Sequence, residues 1–231
     1  MTYRTFQYAT AIAALIIGAC VWLGAETLPV TRGTWTPDTL PVPWVMSGPN
    51  NGIWIDFPQT GLGVIGGLFT KYEKPMSGSI VATFAVQTTG RPDWSDTRDP
   101  SNTCPFTGGK VSLQIAAQGW NDPAYPDYSA RINPPYPDWY ANGRWFSNPV
   151  AYTLTAGWAT VQLTVQLLPD QWQNVYGLLG VQEPEGFANA LRHPTRLGFV
   201  FGNRCFAGHG LSVGNGSAAR FTLLSFQVTN R

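Results

Sequence analysis

The sequence predicts an all-β fold, an antiparallel β-sandwich outside the membrane preceded by one N-terminal transmembrane helix. Three observations carry this expectation. Phe6 to Ala25 is a run of twenty residues without a charge, and at about 1.5 Å of rise per residue such a helix covers roughly the 30 Å of a hydrocarbon core. Beyond it, apolar and polar residues alternate in short runs with the period of a strand. The 25 Gly and 19 Pro, together with 10 Trp, 9 Tyr and 12 Phe, suit a loop-rich aromatic β domain better than a helical one.

Arg4 precedes the apolar run and Glu26 follows it, with Arg32 the next basic residue. This weak positive-inside signal leaves the N-terminus in the cytoplasm and the rest of the chain in the periplasm, as a single-pass protein of the cytoplasmic membrane. Three fates compete for the segment. Cleavage as a secretory signal after Ala25 places Leu23 where the peptidase prefers a small side chain. Ile17-Gly18-Ala19-Cys20 is similar to a bacterial lipobox, but Val21-Trp22-Leu23 prolong the apolar run beyond it. A retained anchor is favoured, and its Ala14 and Gly18 form a small-x-x-x-small pair that lets another membrane helix approach closely. The expected organisation is therefore an anchor at 1–25, a proline-rich linker at 26–51 and one outer domain at 52–231.

About 180 residues beyond the linker are enough for a single domain with a substantial core. Net charge is +1 and only 12% of residues are charged. That leaves no basic field for nucleic acid and no polybasic patch for anionic lipid. Cys20 lies in the apolar run, so Cys104 and Cys205 are the only cysteines of the outer domain. Joined, they would close a loop of about 100 residues and contribute something like 4 to 5 kcal/mol in the chain-entropy description; two unpaired buried thiols are the alternative.

Pro29, Pro37, Pro41, Pro43 and Pro49 interrupt residues 26 to 51 without an apolar period, which reads as an extended stalk or a strip laid over a surface. Asn50-Asn51-Gly52 signals a turn before a first strand, Ile53-Trp54-Ile55-Asp56-Phe57. Gly67 to Tyr72 also has strand character. Ile80, Ala82, Phe84 and Val86 alternate with polar or small residues, as do Val111, Leu113 and Ile115, and Val161, Leu163, Val165 and Leu167. One face of each strand is therefore expected to be buried and the other wet. Phe187 to Leu191 suggests one or two helical turns before Pro194. Leu197 to Phe201 and Phe221 to Val228 complete the strands. Short strands divided by Gly and Pro loops argue for two packed antiparallel sheets.

The C-terminal half resembles the galactose-binding-like jelly rolls of carbohydrate-binding modules over some 70 to 80 residues. The resemblance lies in the strand Trp158 to Leu167, the turn Asp170-Gln171-Trp172, the strand in Arg196 to Gly202 and the last strand Phe221 to Val228. It implies a non-catalytic jelly-roll sandwich that binds sugar or serves as a docking domain, and it carries over no ligand residue.

The motifs that could carry chemistry are weak in context. Gly61-Leu62-Gly63-Val64-Ile65-Gly66 matches GxGxxG, but a dinucleotide site needs a helix after the glycines and the residues here continue as a strand. Gly210-Leu211-Ser212-Val213-Gly214 matches GxSxG beside His209, without the strand–elbow–helix setting of a hydrolase. Two His and three Cys give no zinc spacing. Asp93, Asp96 and Asp99 recur every third residue in a loop and could offer oxygen ligands to a structural calcium ion, the one cofactor the residues suggest. A glycosidase pair among Asp56, Asp122, Asp127 and Asp138 is not singled out by any arrangement.

Between Trp120 and Phe146 the chain carries Trp120, Tyr125, Tyr128, Tyr136, Trp139, Tyr140, Trp145 and Phe146, separated by five prolines. Prolines stiffen the backbone, so these rings are expected on a rigid loop. They would anchor a protein interface or stack on sugar, unless the loop folds back and buries its own rings. With no acid/base pair and no activated nucleophile, the expected role is a non-catalytic, membrane-anchored structural subunit. It would dock on other membrane-protein subunits in the lipid bilayer, for example in a photosynthetic reaction-centre and light-harvesting or a respiratory assembly. An extracytoplasmic polysaccharide-binding module or lipoprotein is the alternative.

Overall fold

The computed structural model of the chain describes residues 24–40, 46–47, 52–90, 92–95, 108–117, 143–202 and 210–230. One face is built from β11 (Trp158–Gln166), β6 (Ser79–Thr89), β15 (Ala218–Thr229), β4 (Ile53–Asp56) and β3 (Met46–Ser47), in that spatial order, with β1 (Ala25–Leu28) paired to β15 beside β4. The other runs β12 (Gln173–Asn174), β9 (Arg144–Phe146), β8 (Lys110–Ala117), β13 (Pro194–Gly202), β5 (Val64–Lys71) and β2 (Trp35–Leu40), with β10 (Tyr152–Thr153) also on β8. A small ribbon joins β7 (Asp93–Ser95) to β14 (Ser212–Gly214). All these strand pairings are antiparallel.

Alternation decides which face of each strand is buried. Ile80, Ala82, Phe84 and Val86 of β6 point into the core, and Leu113, Ile115, Leu197, Phe199 and Phe201 meet them from the other sheet. In β15 the inward residues change parity, from Phe221 and Leu223 to Phe226 and Val228. The register shift between Leu223 and Ser225 accounts for this, because one extra residue returns the apolar side chains to the core. Phe84 stacks on Phe221 with centroids 5.0 Å apart, and Phe199 of the facing sheet stands edge-on to both at 5.6 and 5.0 Å. The nine-residue helix α1 (Pro184–Arg192) opens on proline and lays Phe187 5.0 Å from Trp145.

Two expectations are corrected here. Among the described residues no helix is long and apolar enough to cross a membrane. The regular elements of the described residues are strands, apart from α1 and a single 3-10 turn at Asn148–Val150. The transmembrane helix of the predicted fold class, and the single-pass membrane location that rested on it, are therefore set aside. The physical reason lies at the end of the apolar run, where Ala25 pairs with Thr229 as a strand instead of closing a helix. Residues 1–23, with Ala14, Gly18 and Cys20, lie outside the described residues.

Residues 25–28 and 35–40, most of them in the proline-rich stretch, are strands. β1 pairs with β15, β2 pairs with β5, and Trp35 is buried 5.2 Å from Phe226 with its indole N–H donated to the Pro29 carbonyl at 2.9 Å. Proline does not prevent this, since β2 lies at a sheet edge where Pro37 forfeits no central ladder bond. The strands expected around residues 53, 80, 111, 161, 197 and 221 are present: those around 80, 111, 197 and 221 run one to three residues further at each end, the first stops at Asp56, one residue short of Phe57, and the one around 161 starts at Trp158 and ends at Gln166.

Candidate functional site

Of the expected aromatic face, Trp120, Tyr125, Tyr128, Tyr136, Trp139 and Tyr140 lie outside the described residues. Trp145 and Phe146 lie in β9, both buried: Trp145 against Phe187 in the main core, Phe146 in a small cluster with Phe69 and Val200. These two rings pack the fold and are not on display. Asp93 is exposed in β7, while Asp96 and Asp99 lie outside the described residues, as do Cys104 and Cys205. No group of three His, Cys, Asp or Glu side chains able to hold a metal occurs among the described residues. The GxGxxG glycines lead straight into β5, with Gly61 and Gly63 at positive φ. Ser212 of GxSxG is buried in β14, its hydroxyl 3.4 Å from that of Thr60. Asp56 is held by Arg220 through two bonds of 2.7 and 3.0 Å.

The residues that the structure does assemble lie on the outer side of the seven-stranded sheet. Leu197, Phe199 and Phe201 point inward, so the intervening residues of β13 and their ladder partners point outward. Register places them in rows. Arg144, Ala116, Arg196 and Lys71 form one row across β9, β8, β13 and β5. Gln173, Phe146, Gln114, Gly198, Phe69 and Thr36 form the next, and Ser112, Val200, Gly67 and Asp38 a third. A cationic row thus runs beside a row of rings and amides.

The two glycines explain how the rings lie. A Cβ on Gly198 would clash with the Leu68 carbonyl and come 2.8 Å from the Phe69 ring, and one on Gly67 would clash with the same ring. Phe69 therefore lies flat across bare backbone. The Arg196 guanidinium covers its outer face, 4.2 Å from the centroid. Burial pulls this guanidinium below the ordinary arginine range, and the Asp38 carboxylate works against that shift. The group stays charged across the physiological range.

Buried donors without acceptors gather on this face. Among the described residues, Arg196 Nε, Gln114 Nε2 and Asn148 Nδ2 are each buried with no hydrogen-bond partner. Gln114 is only 2% exposed, and Asn148 is tied to the same side by a 2.8 Å bond from the Ser112 hydroxyl to its carbonyl oxygen. Native interiors rarely leave such donors unmet, because each costs about 1–3 kcal/mol. Beside Arg196, an open groove of about 430 Å³ runs along β2 and β5, lined by Thr34, Thr36, Asp38, Phe69, Lys71 and Arg196 among others. What the groove offers is threonine hydroxyls, the Asp38 carboxylate, the Lys71 ammonium and a fixed planar cation.

Sequence reasoning missed this face. Its members are scattered from Thr36 to Arg196, and only the strand register brings them together. The one legible signal was the pair of glycines, Gly67 and Gly198, inside strand-like runs, since glycine in a strand marks close approach of another group. In comparison with known proteins, the chain matches no family model and no curated sequence.

Proposed function

We propose that this chain is a non-catalytic interaction module, a structural subunit that docks on a partner protein through the outer face of its seven-stranded sheet. The observation that supports this reading is Arg196, a half-buried guanidinium fixed on Phe69 that makes no ion pair or hydrogen bond among the described residues and borders an open groove. A pre-positioned planar cation suits a partner carboxylate, which can accept two parallel bonds from it. Arginine and aromatic residues are also the side chains that commonly dominate protein interfaces. The partner chemistry is thus an acidic side chain presented on an extended or looped segment, with Asp38 and the neighbouring threonines setting its orientation.

A second reading has its own support. The groove combines a carboxylate, hydroxyls and donors, a set that suits a hydroxyl-rich sugar, as the resemblance to carbohydrate-binding modules implies. Isolation of the chain from its host under native conditions, followed by mass measurement of the co-purifying assembly, separates the two. A partner in fixed stoichiometry that is lost from R196A, with the thermal unfolding of R196A unchanged, supports docking. Unchanged retention by R196A overturns the docking role of this face. Retardation of the wild-type chain, but not of D38A, in gels containing soluble polysaccharide would favour the sugar reading.

A further inference from the structure

The free edge of the six-stranded sheet can be accounted for bond by bond. Strand β11 ends that sheet and pairs only with β6 among the described residues. The bonds that flank the ladder fix which backbone groups it uses. Thr88 N–H donates to the Gly157 carbonyl at 2.8 Å, and Leu167 N–H donates to the Gly78 carbonyl at 2.8 Å. Odd-numbered residues of β11 therefore bond to β6, and the N–H and C=O of even-numbered residues point away from the sheet. Gln166, the last of these, is capped: its N–H donates to Gln171 Oε1 at 2.9 Å and its carbonyl accepts from Trp172 Nε1 at 2.8 Å. Trp158, Thr160, Gln162 and Thr164 have no such cap among the described residues.

This edge lacks the usual defences. The stretch Trp158-Ala159-Thr160-Val161-Gln162-Leu163-Thr164 has no charge and no proline, and its register with β6 has no bulge. Natural edge strands are commonly blunted by one of these. At its centre Val161 is only half-buried while Leu163 and Val165 are fully packed, and Trp158 is 68% exposed.

We propose that β11 pairs with β11 of a second copy of this chain, antiparallel about a two-fold axis at Val161, so that one continuous sheet crosses the dimer. The occupant follows from the arithmetic of the edge. Four uncapped residues centred on Val161 match an identical edge turned end for end: Trp158 faces Thr164 of the second copy, and Thr160 faces its Gln162. Each pair exchanges both backbone bonds, about eight in all. The half-buried Val161 meets its own copy, and neither edge carries a charge to repel the other. A two-fold contact of this kind is self-complementary and closed.

Sedimentation velocity of the full chain, with circular dichroism melts as a check on folding, tests the proposal. The wild type should sediment as a species of twice the 25.2 kDa chain mass. T160K/Q162K sets like charges directly opposite at two places and should weaken self-association by roughly tenfold or more. T160K/Q162E sets opposite charges in the same places and should restore the dimer. Both substitutions fall on exposed side chains, so the melts should stay close to wild type. A monomeric wild type, or a dimer indifferent to T160K/Q162K, overturns the proposal; dissociation of T160K/Q162E overturns the two-fold at Val161. None of these outcomes depends on the Arg196 face.

Discussion

Replacing Arg196 with methionine should leave the fold as stable as it was, or more so. The guanidinium lies 4.2 Å from the Phe69 centroid, an interaction of about 0.5–1 kcal/mol at exposed sites and about 2 when desolvated. Against this, its Nε is buried without an acceptor among the described residues, a condition that costs about 1–3 kcal/mol and more for a charged donor. Methionine keeps an unbranched stem over the ring and a sulfur–aromatic contact of about 0.3–1.5 kcal/mol. The terms nearly cancel with methionine ahead, so R196M should lie between unchanged and about 2 kcal/mol more stable. Urea titration of wild type, R196M and R196A at neutral pH reads this as a midpoint shift at common slope. A loss of more than about 2 kcal/mol in R196M would refute the reasoning, because it would mean that the guanidinium is a satisfied structural group. Stability gained where binding is lost is the exchange expected of a functional residue.

Gly198→Ala should cost about 1–3 kcal/mol or more, since the new methyl meets the Leu68 carbonyl and the Phe69 ring; a melting temperature within a degree of wild type would show that the ring moves aside freely. Trp35→Ala should cost about 3–5 kcal/mol by urea titration, and a loss below about 1 kcal/mol would show that the buried indole does not hold β2 in the sheet. The Tyr72 phenol is pushed above its ordinary value by burial and by the Glu26 carboxylate. Above about pH 10 the unfolded chain therefore sheds this proton while the folded chain keeps it, and stability falls as pH rises through that window. Y72F should flatten that alkaline loss, and an equal slope in the two proteins would show that Tyr72 titrates normally.

The strands that were legible in the sequence are those with one wet face. Val161, Leu163 and Val165 alternate with polar residues, and their strand formed as read. Strand β2 was not legible, because Trp35, Pro37 and Thr39 give no apolar period and the prolines pointed to a stalk; its hold comes from one buried indole and pairing along an edge. Strand β9 was hidden for the opposite reason, since Trp145 and Phe146 stood at the end of an aromatic run that drew attention to display. The expected helix was drawn through Ala25 because hydropathy scores a residue by its neighbours in sequence, whereas Ala25 pairs with Thr229, more than two hundred positions away. The Arg196 face was illegible on the same ground: Asp38, Phe69, Gln114 and Arg196 meet only through a register that no local pattern encodes.

The pairing of Ala25 with Thr229 also fixes how the domain responds to load. Because β1 and β15 are antiparallel, a pull on the chain before residue 25 and after residue 229 acts at the same corner of the sheet. The four residue pairs of that contact are then opened one after another, as a zip is, and none shares the strain with the next. Under tension β1 should peel off first and at low force, leaving β15 anchored on β6 along its whole length. The domain therefore has a mechanical weak point where its two ends meet, and a tug there frees β1 before it disturbs the core.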